Sequence, residues 1–256
     1  MFFPVCGIFY SKENENMRMR KKPNLIPRME KCAQVQIKDP KQLKGTWRKS
    51  FPEYDKLWLE LGCGKGRFTA GTAEQNPRTM LLAVEKVADA MVIGMERVCD
   101  AGIENIRFIE MDALELGDVF ENAEIERIFI NFCDPWPKSR DAKHRLTAPG
   151  FLRSYADLLP TGGEIHFKTD NRPLFDWSVE QFNAEGWELR EVKNDLHADG
   201  VAGVMTDYEA KFHAQGVKIN RLVAVKTEKT KTTASGQVPR LRDAALSDAR
   251  GKAEEK

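Results

Sequence analysis

Short apolar stretches punctuate the chain at residues 57–61, 80–84, 106–109, 127–132, 164–169, 187–192 and 219–225. The first five are nearly continuous runs of branched, leucine and aromatic side chains, the pattern of strands buried on both faces rather than of strands with one wet face. Residues 70–74, 88–101, 150–159 and 172–185 fill the gaps with helix-compatible sequence. Strand and helix alternating in this way predict an α/β fold: a mainly parallel, doubly wound, Rossmann-like sheet. Such sheets bind ligands at the carboxyl ends of their strands, so chemistry is sought in the residues that follow each strand.

The flanks differ from this rhythm. Residues 1–16 read as a disordered leader, and residues 227–256, with almost no large apolar side chains, as a disordered polar tail. A single domain over residues 17–226 is expected, its first part, residues 17–50, forming a basic arm. No internal repeat is present.

No apolar run approaches the roughly 20 residues that cross a bilayer. The opening MFFPVCGIFY lacks the basic residues and cleavage site of an export signal. A cytoplasmic protein without a membrane partner is expected. The five cysteines, Cys6, Cys32, Cys63, Cys99 and Cys133, show no Cys-x-x-Cys spacing, so neither a metal nor a disulfide framework is signalled. Net charge is only +1, but the charges are segregated: residues 11–50 hold twelve Lys/Arg against four Asp/Glu, and residues 138–145 hold four against Asp141 alone. Local fields of this kind suit a polyanion.

The first strand runs into Glu60-Leu-Gly62-Cys-Gly64-Lys-Gly66, where alternate glycines let backbone approach a ligand closely. The spacing is neither Gly-x-Gly-x-x-Gly nor a P-loop. Glu85 ends the second strand, where a carboxylate accepts from ribose hydroxyls. Asp112 follows the third, where one accepts from an adenine amino group. A nicotinamide dinucleotide and S-adenosyl-L-methionine both satisfy this set. Glu60 sits at the end of the first strand, where a carboxylate near the sulfonium and ammonium of S-adenosyl-L-methionine would be electrostatically favoured. After the fourth strand comes Asn131-Phe-Cys-Asp134-Pro-Trp-Pro-Lys138, the most specific string in the chain. Its prolines deny the loop a helix and hold Asp134 and Trp136 at the carboxyl edge.

From residue 17 to 226 the spacing of LELGCGKG, AVEK, EMDA, DPWPK, the basic cluster after it, FKTDN and TDYE resembles the bacterial tRNA (guanine-N7)-methyltransferase family. The resemblance implies a class I S-adenosylmethionine-dependent methyltransferase fold, S-adenosyl-L-methionine as donor, and N7 of the guanine at position 46 of the tRNA variable loop as acceptor. It makes Glu60, Gly62, Gly64, Gly66, Glu85, Asp112 and Asp134 cofactor-side residues, Asp134 also being catalytic. Lys138, Asp170, Thr206, Asp207, Tyr208 and Glu209 match substrate-binding positions, and Arg140, Lys143, His144 and Arg145 match the RNA-contacting segment. Asp170 and Glu209 are the expected holders of the guanine's N1–H and amino edge. Cys133 stands where the family usually has proline, and the basic cluster is thinner than usual. An exocyclic-amine nucleic-acid methyltransferase, with an Asp/Asn-Pro-Pro-aromatic loop at this place, and a catalytically silent tRNA-binding protein are the alternatives; an oxidoreductase leaves DPWPK unexplained. Monomer and homodimer are both compatible with the sequence. His166 reads as a core or hydrogen-bonded residue, and Phe175, Phe182 and Trp187 as packing residues.

Overall fold

The computed structural model describes residues 22–233. The strands are β1 (Lys56–Leu61), β2 (Thr79–Glu85), β3 (Ile106–Glu110), β4 (Arg127–Asn131), β5 (Glu164–Thr169), β6 (Glu188–Lys193) and β7 (Asn220–Val225). They form one sheet in the order β3-β2-β1-β4-β5-β7-β6. Neighbours from β3 to β5 are parallel, and β7 is antiparallel to both β5 and β6. The helices are α1 (Leu25–Lys31), α2 (Trp47–Ser50), α3 (Arg67–Gln75), α4 (Ala88–Ala101), α5 (Leu116–Val119), α6 (Pro149–Leu158), α7 (Arg172–Ala184) and α8 (Asp207–Ala214).

Alternation along the strands divides the core between the two faces. Leu57, Leu59 and Leu61 of β1 join Ile128, Ile165 and Phe167 beneath α6 and α7. Trp58 joins Leu81, Phe108 and Phe129 beneath α3 and α4. Phe175 and Phe182 lie in the first of these cores, Phe182 meeting Trp187 edge-on at 5.9 Å, as their spacing predicts. His166 is likewise a packed residue, bonded to Glu164 at 2.9 Å and lying 5.2 Å from the Phe129 ring. Chain reversal between β1 and α3 needs Gly66, whose φ is +71°. A Cβ there would lie 2.8 Å from the Cα of Gly94, so two glycines set how closely α3 and α4 cross.

Two expected boundaries change. Residues 22–50 form a folded layer rather than an arm. Met29 and Val35 enter the core beside α4, and the Ile37 amide donates to the Phe108 carbonyl at 2.9 Å. Trp47 is fully buried, its indole donating to the Val119 carbonyl at 3.0 Å. At the other end, residues 227–233 are tied down although 227 is the start of the tail expected to be disordered. Thr230 donates to the Gly186 carbonyl at 3.0 Å, and the Lys231 amide donates to the Glu185 carbonyl at 2.9 Å. Apolar content misses this edge because backbone and hydroxyl bonds hold it. Residues 1–21 and 234–256, which hold the expected leader, the first residues of the expected arm and most of the expected tail, lie outside the described residues.

Candidate active site

The carboxyl edge of β1, β2, β3 and β4 carries the expected cofactor-side residues. Gly62 and Gly64 have φ of +76° and +56°, and space within 4 Å of where their Cβ atoms would sit is open. Bare backbone therefore faces open space at this edge. The Gly64 amide donates to one oxygen of Glu85 at 3.0 Å, and the Val87 amide donates to the other at 2.9 Å, fixing that carboxylate across the turn. Asp112 accepts from the Leu114 amide at 3.0 Å, capping a short turn after β3.

Glu60 is 1% exposed. It accepts from the Thr69 hydroxyl at 2.6 Å and the Asn131 amide at 3.2 Å. Burial pushes its carboxyl up to about 7, against the lowering effect of those two bonds. The side-chain oxygen of Asn131, Oδ1, is buried without a partner. Open glycines, a fixed acid for a diol and a buried acid that no cation among the described residues contacts directly fit a nucleoside bearing positive charge.

The acceptor half lies across the edge of β4 and β5. Asp134 is exposed, and Trp136 is 37% exposed with φ +43°. His144 lies 5.2 Å from the Trp136 ring. Lys138 and Lys143 are exposed and form no ion pair among the described residues, and Arg140 reaches Asp141 only at 3.9 Å. Asp170 is partly buried, and burial raises its carboxyl above the ordinary aspartate range, with only its own amide opposing. Beyond Asn131 and Lys168 a cavity of about 330 Å³ follows the sheet face between α3 and residues 202–204, walled by Trp58, Phe68 and Phe129. It contains none of the site residues expected from sequence.

The TDYE stretch mostly builds α8. Thr206 caps it, accepting from the Glu209 amide at 2.9 Å, and Asp207 pairs with Arg97 of α4 at 3.5 Å. Tyr208 alone is open, 58% exposed and stacked on Phe212 at 6.3 Å. Glu209, the expected holder of the guanine edge, lies inside the fold. It is fully buried and accepts from Lys168 at 2.6 Å, His197 at 3.0 Å and the Thr206 amide at 3.2 Å. Arg145, expected on RNA, instead donates to the carbonyls of Pro135 and Trp136. Sequence reasoning assigns no role to Thr69, Asn131 or Lys168. A lysine inside the apolar run EIHFKT is the one available signal, since a buried charge requires a partner.

A doubly wound sheet whose seventh strand enters antiparallel between the fifth and sixth, with a glycine turn after β1 and acids at the ends of the next strands, defines a class I methyltransferase fold. A protein family described as "Putative methyltransferase" matches residues 55–222. A tRNA (guanine-N(7)-)-methyltransferase of Bacillus velezensis is 44% identical over 206 residues, covering 80% of this chain and 95% of that protein. Another, from Streptococcus suis, is 41% identical over 209 residues, covering 81% and 99%. The crystal structure of the 16S rRNA methyltransferase KamB shares the fold, with a TM-score of 0.56 at 17% identity over 72% of this chain and 93% of that one. The chain belongs to the tRNA (guanine-N7)-methyltransferase family.

Proposed function

We propose that this protein transfers a methyl group from S-adenosyl-L-methionine to N7 of a guanine in tRNA, at position 46 of the variable loop, in the cytoplasm. The observation that carries the reading is the juxtaposition of an open glycine cradle, beginning at buried Glu60, with an exposed aspartate on the adjacent strand's loop. Bound S-adenosyl-L-methionine would supply an electrophilic methyl group on a sulfonium. Gly62 and Gly64 leave room for its body, Glu85 accepts from its ribose, Asp112 accepts from its adenine, and Glu60 answers its positive charge.

Guanine N7 carries an in-plane lone pair and no proton, so the enzyme's task is alignment rather than proton removal. Asp134 orients the reacting pair by accepting hydrogen bonds at this edge. Asp170, partly desolvated, accepts from the guanine's N1–H and amino group, which adenine does not reproduce. Tyr208 offers an open aromatic face for stacking. Lys138, Arg140, Lys143 and His144 meet the phosphates around the target.

The test is incubation of unmodified tRNA transcript with methyl-labelled S-adenosyl-L-methionine, followed by nucleoside analysis. Label is expected in 7-methylguanosine, and is lost when guanine 46 is replaced by adenine. In Asp134→Ala the rate falls at least about a hundredfold, the scale that lost alignment costs. Label in another nucleoside, or an undiminished rate in the variant, overturns the assignment.

A further inference from the structure

Arg145 is the cation of the basic segment that turns inward. Its Nε–H donates to the Pro135 carbonyl at 2.9 Å, and its Nη2–H donates to the Trp136 carbonyl at 3.0 Å. The same guanidinium lies 4.3 Å from the ring centroid of Trp177 in α7. The carbonyls it grips belong to the two residues directly after Asp134. The second of them, Trp136, has φ +43°, a left-handed conformation that a bulky aromatic residue seldom adopts. Local sequence opposes that conformation, so something outside the loop must hold it. The Pro135 and Trp136 carbonyls stand in no strand or helix, and Arg145 supplies a donor to each.

We propose that Arg145 is a positioning residue for methyl transfer: it clamps the backbone carrying Asp134 and Trp136 to α7, rather than serving as a phosphate contact. The proposal rests on the reading of Asp134 as the residue that aligns the reacting pair. Chemistry favours arginine for this task. A planar fork donates along two edges while its face stacks on an indole, and a lysine ammonium, with equal charge, does neither in the same geometry. Lys138 and Lys143, by contrast, are exposed and reach no carboxylate among the described residues. The division of labour within residues 138–145 is thus between side chains that project to solvent and one that holds the loop from which they project.

Charge-conserving substitution separates the two roles. In Arg145→Lys, kcat at saturating tRNA is expected to fall on the order of a hundredfold, as displacement of aligning groups by about an ångström does. The KM for tRNA and the salt dependence of tRNA binding should stay at wild-type values. A phosphate contact would behave oppositely: Arg145→Lys would keep kcat, and Arg145→Ala would lower the log–log salt slope by roughly 0.7 to 0.9. That pair of results overturns the proposal. Cofactor-binding stoichiometry and the melting curve of each variant identify any loss caused by misfolding. Amide exchange at Asp141, whose N–H donates to the Lys138 carbonyl at 3.0 Å at the end of the clamped loop, gives a readout independent of turnover. The clamp predicts faster exchange there in Arg145→Lys, and unchanged exchange overturns it. If wild-type protein makes no 7-methylguanosine, the functional reading fails while this exchange measurement still decides the clamp.

Discussion

Two carboxylates near the carboxyl edge of the sheet are almost completely buried, Glu60 in β1 and Glu209 in α8, yet they face opposite electrostatic situations. Glu60 accepts only from neutral groups, the Thr69 hydroxyl and the Asn131 amide, and burial pushes its carboxyl up to about 7. Glu209 accepts from the Lys168 ammonium at 2.6 Å, from His197 and from the Thr206 amide. His197 in turn accepts the Ala202 amide on Nδ1 at 3.2 Å, which leaves Nε2 to carry the proton it gives Glu209. Glu209 therefore has its counter-charge in direct contact, while Glu60 has none in contact among the described residues and feels Lys168 only at a distance. A buried acid with its own cation is architecture, tying β5 to the cap of α8. A buried acid without one is a place for a cationic ligand.

The largest expected effect comes from removing the internal cation. Lys168→Met leaves Glu209 buried and uncompensated, and urea denaturation should show a loss of about 3 to 5 kcal/mol. Adding Glu209→Gln to that variant should restore much of the stability, because the glutamine carries no charge and its one amide oxygen can still accept from His197. A loss below about 1 kcal/mol in Lys168→Met, well under the cost of an uncompensated buried charge, would mean that water reaches Glu209 and that the contrast with Glu60 is unreal.

A smaller effect follows from Glu60 itself. Its folded-state pKa is raised, so the folded protein holds a proton that the unfolded chain releases near pH 4.5. Its contribution is fully present below pH 4.5 and is lost as pH rises to about 7, where the folded protein releases the proton too. Above that the contribution is flat. The stability difference between wild type and Glu60→Gln should therefore drop, on the order of 3 kcal/mol across that window, with the amide variant lacking this component. Near neutral pH, binding of S-adenosyl-L-methionine should also expel a proton from wild type and none from Glu60→Gln. Calorimetry in buffers of different ionisation enthalpy measures it, and equal proton release in both proteins would place the charge-accepting group elsewhere.

The contrast between the two acids also governs what is legible in the sequence. The sheet, its central helices and the acids of the cofactor half can be read because strand burial and the residues just after each strand are local properties. Glu60, Glu85, Asp112 and Asp134 all fall at the edge where the sheet brings them together. Glu209 and Arg145 cannot be assigned this way, since each role depends on partners far away in the chain: Lys168 lies 41 residues from Glu209, and Trp177 reaches Arg145 only because α7 packs beside the loop. Motif position points both toward ligands. Only the folded chain shows that both oxygens of Glu209 already accept hydrogen bonds and that Arg145 already donates two.

Basic side chains obey the rule that distinguishes the two glutamates, and here the expected effect is smallest on one side of the comparison. Sequence places residues 17–50 in a basic arm suited to a polyanion. Yet Arg28 pairs with Glu96 through two bonds of 2.6 Å, Lys41 lies 3.1 Å from Asp118 and 3.2 Å from Glu115, and Arg48 is bonded to Glu126. Lys138 and Lys143 have no such partner among the described residues. Replacing Lys138, Arg140 and Lys143 by alanine should weaken tRNA binding and lower its log–log salt slope by roughly 0.7 to 0.9 for each phosphate that these side chains neutralise. Replacing Arg28, Lys41 and Arg48 should leave that slope where it was, because cations already neutralised inside the fold release few counterions when removed. A slope that falls equally in both triple variants would show that nucleic acid competes successfully for the internal partners, and that the folded N-terminal layer opens onto RNA after all.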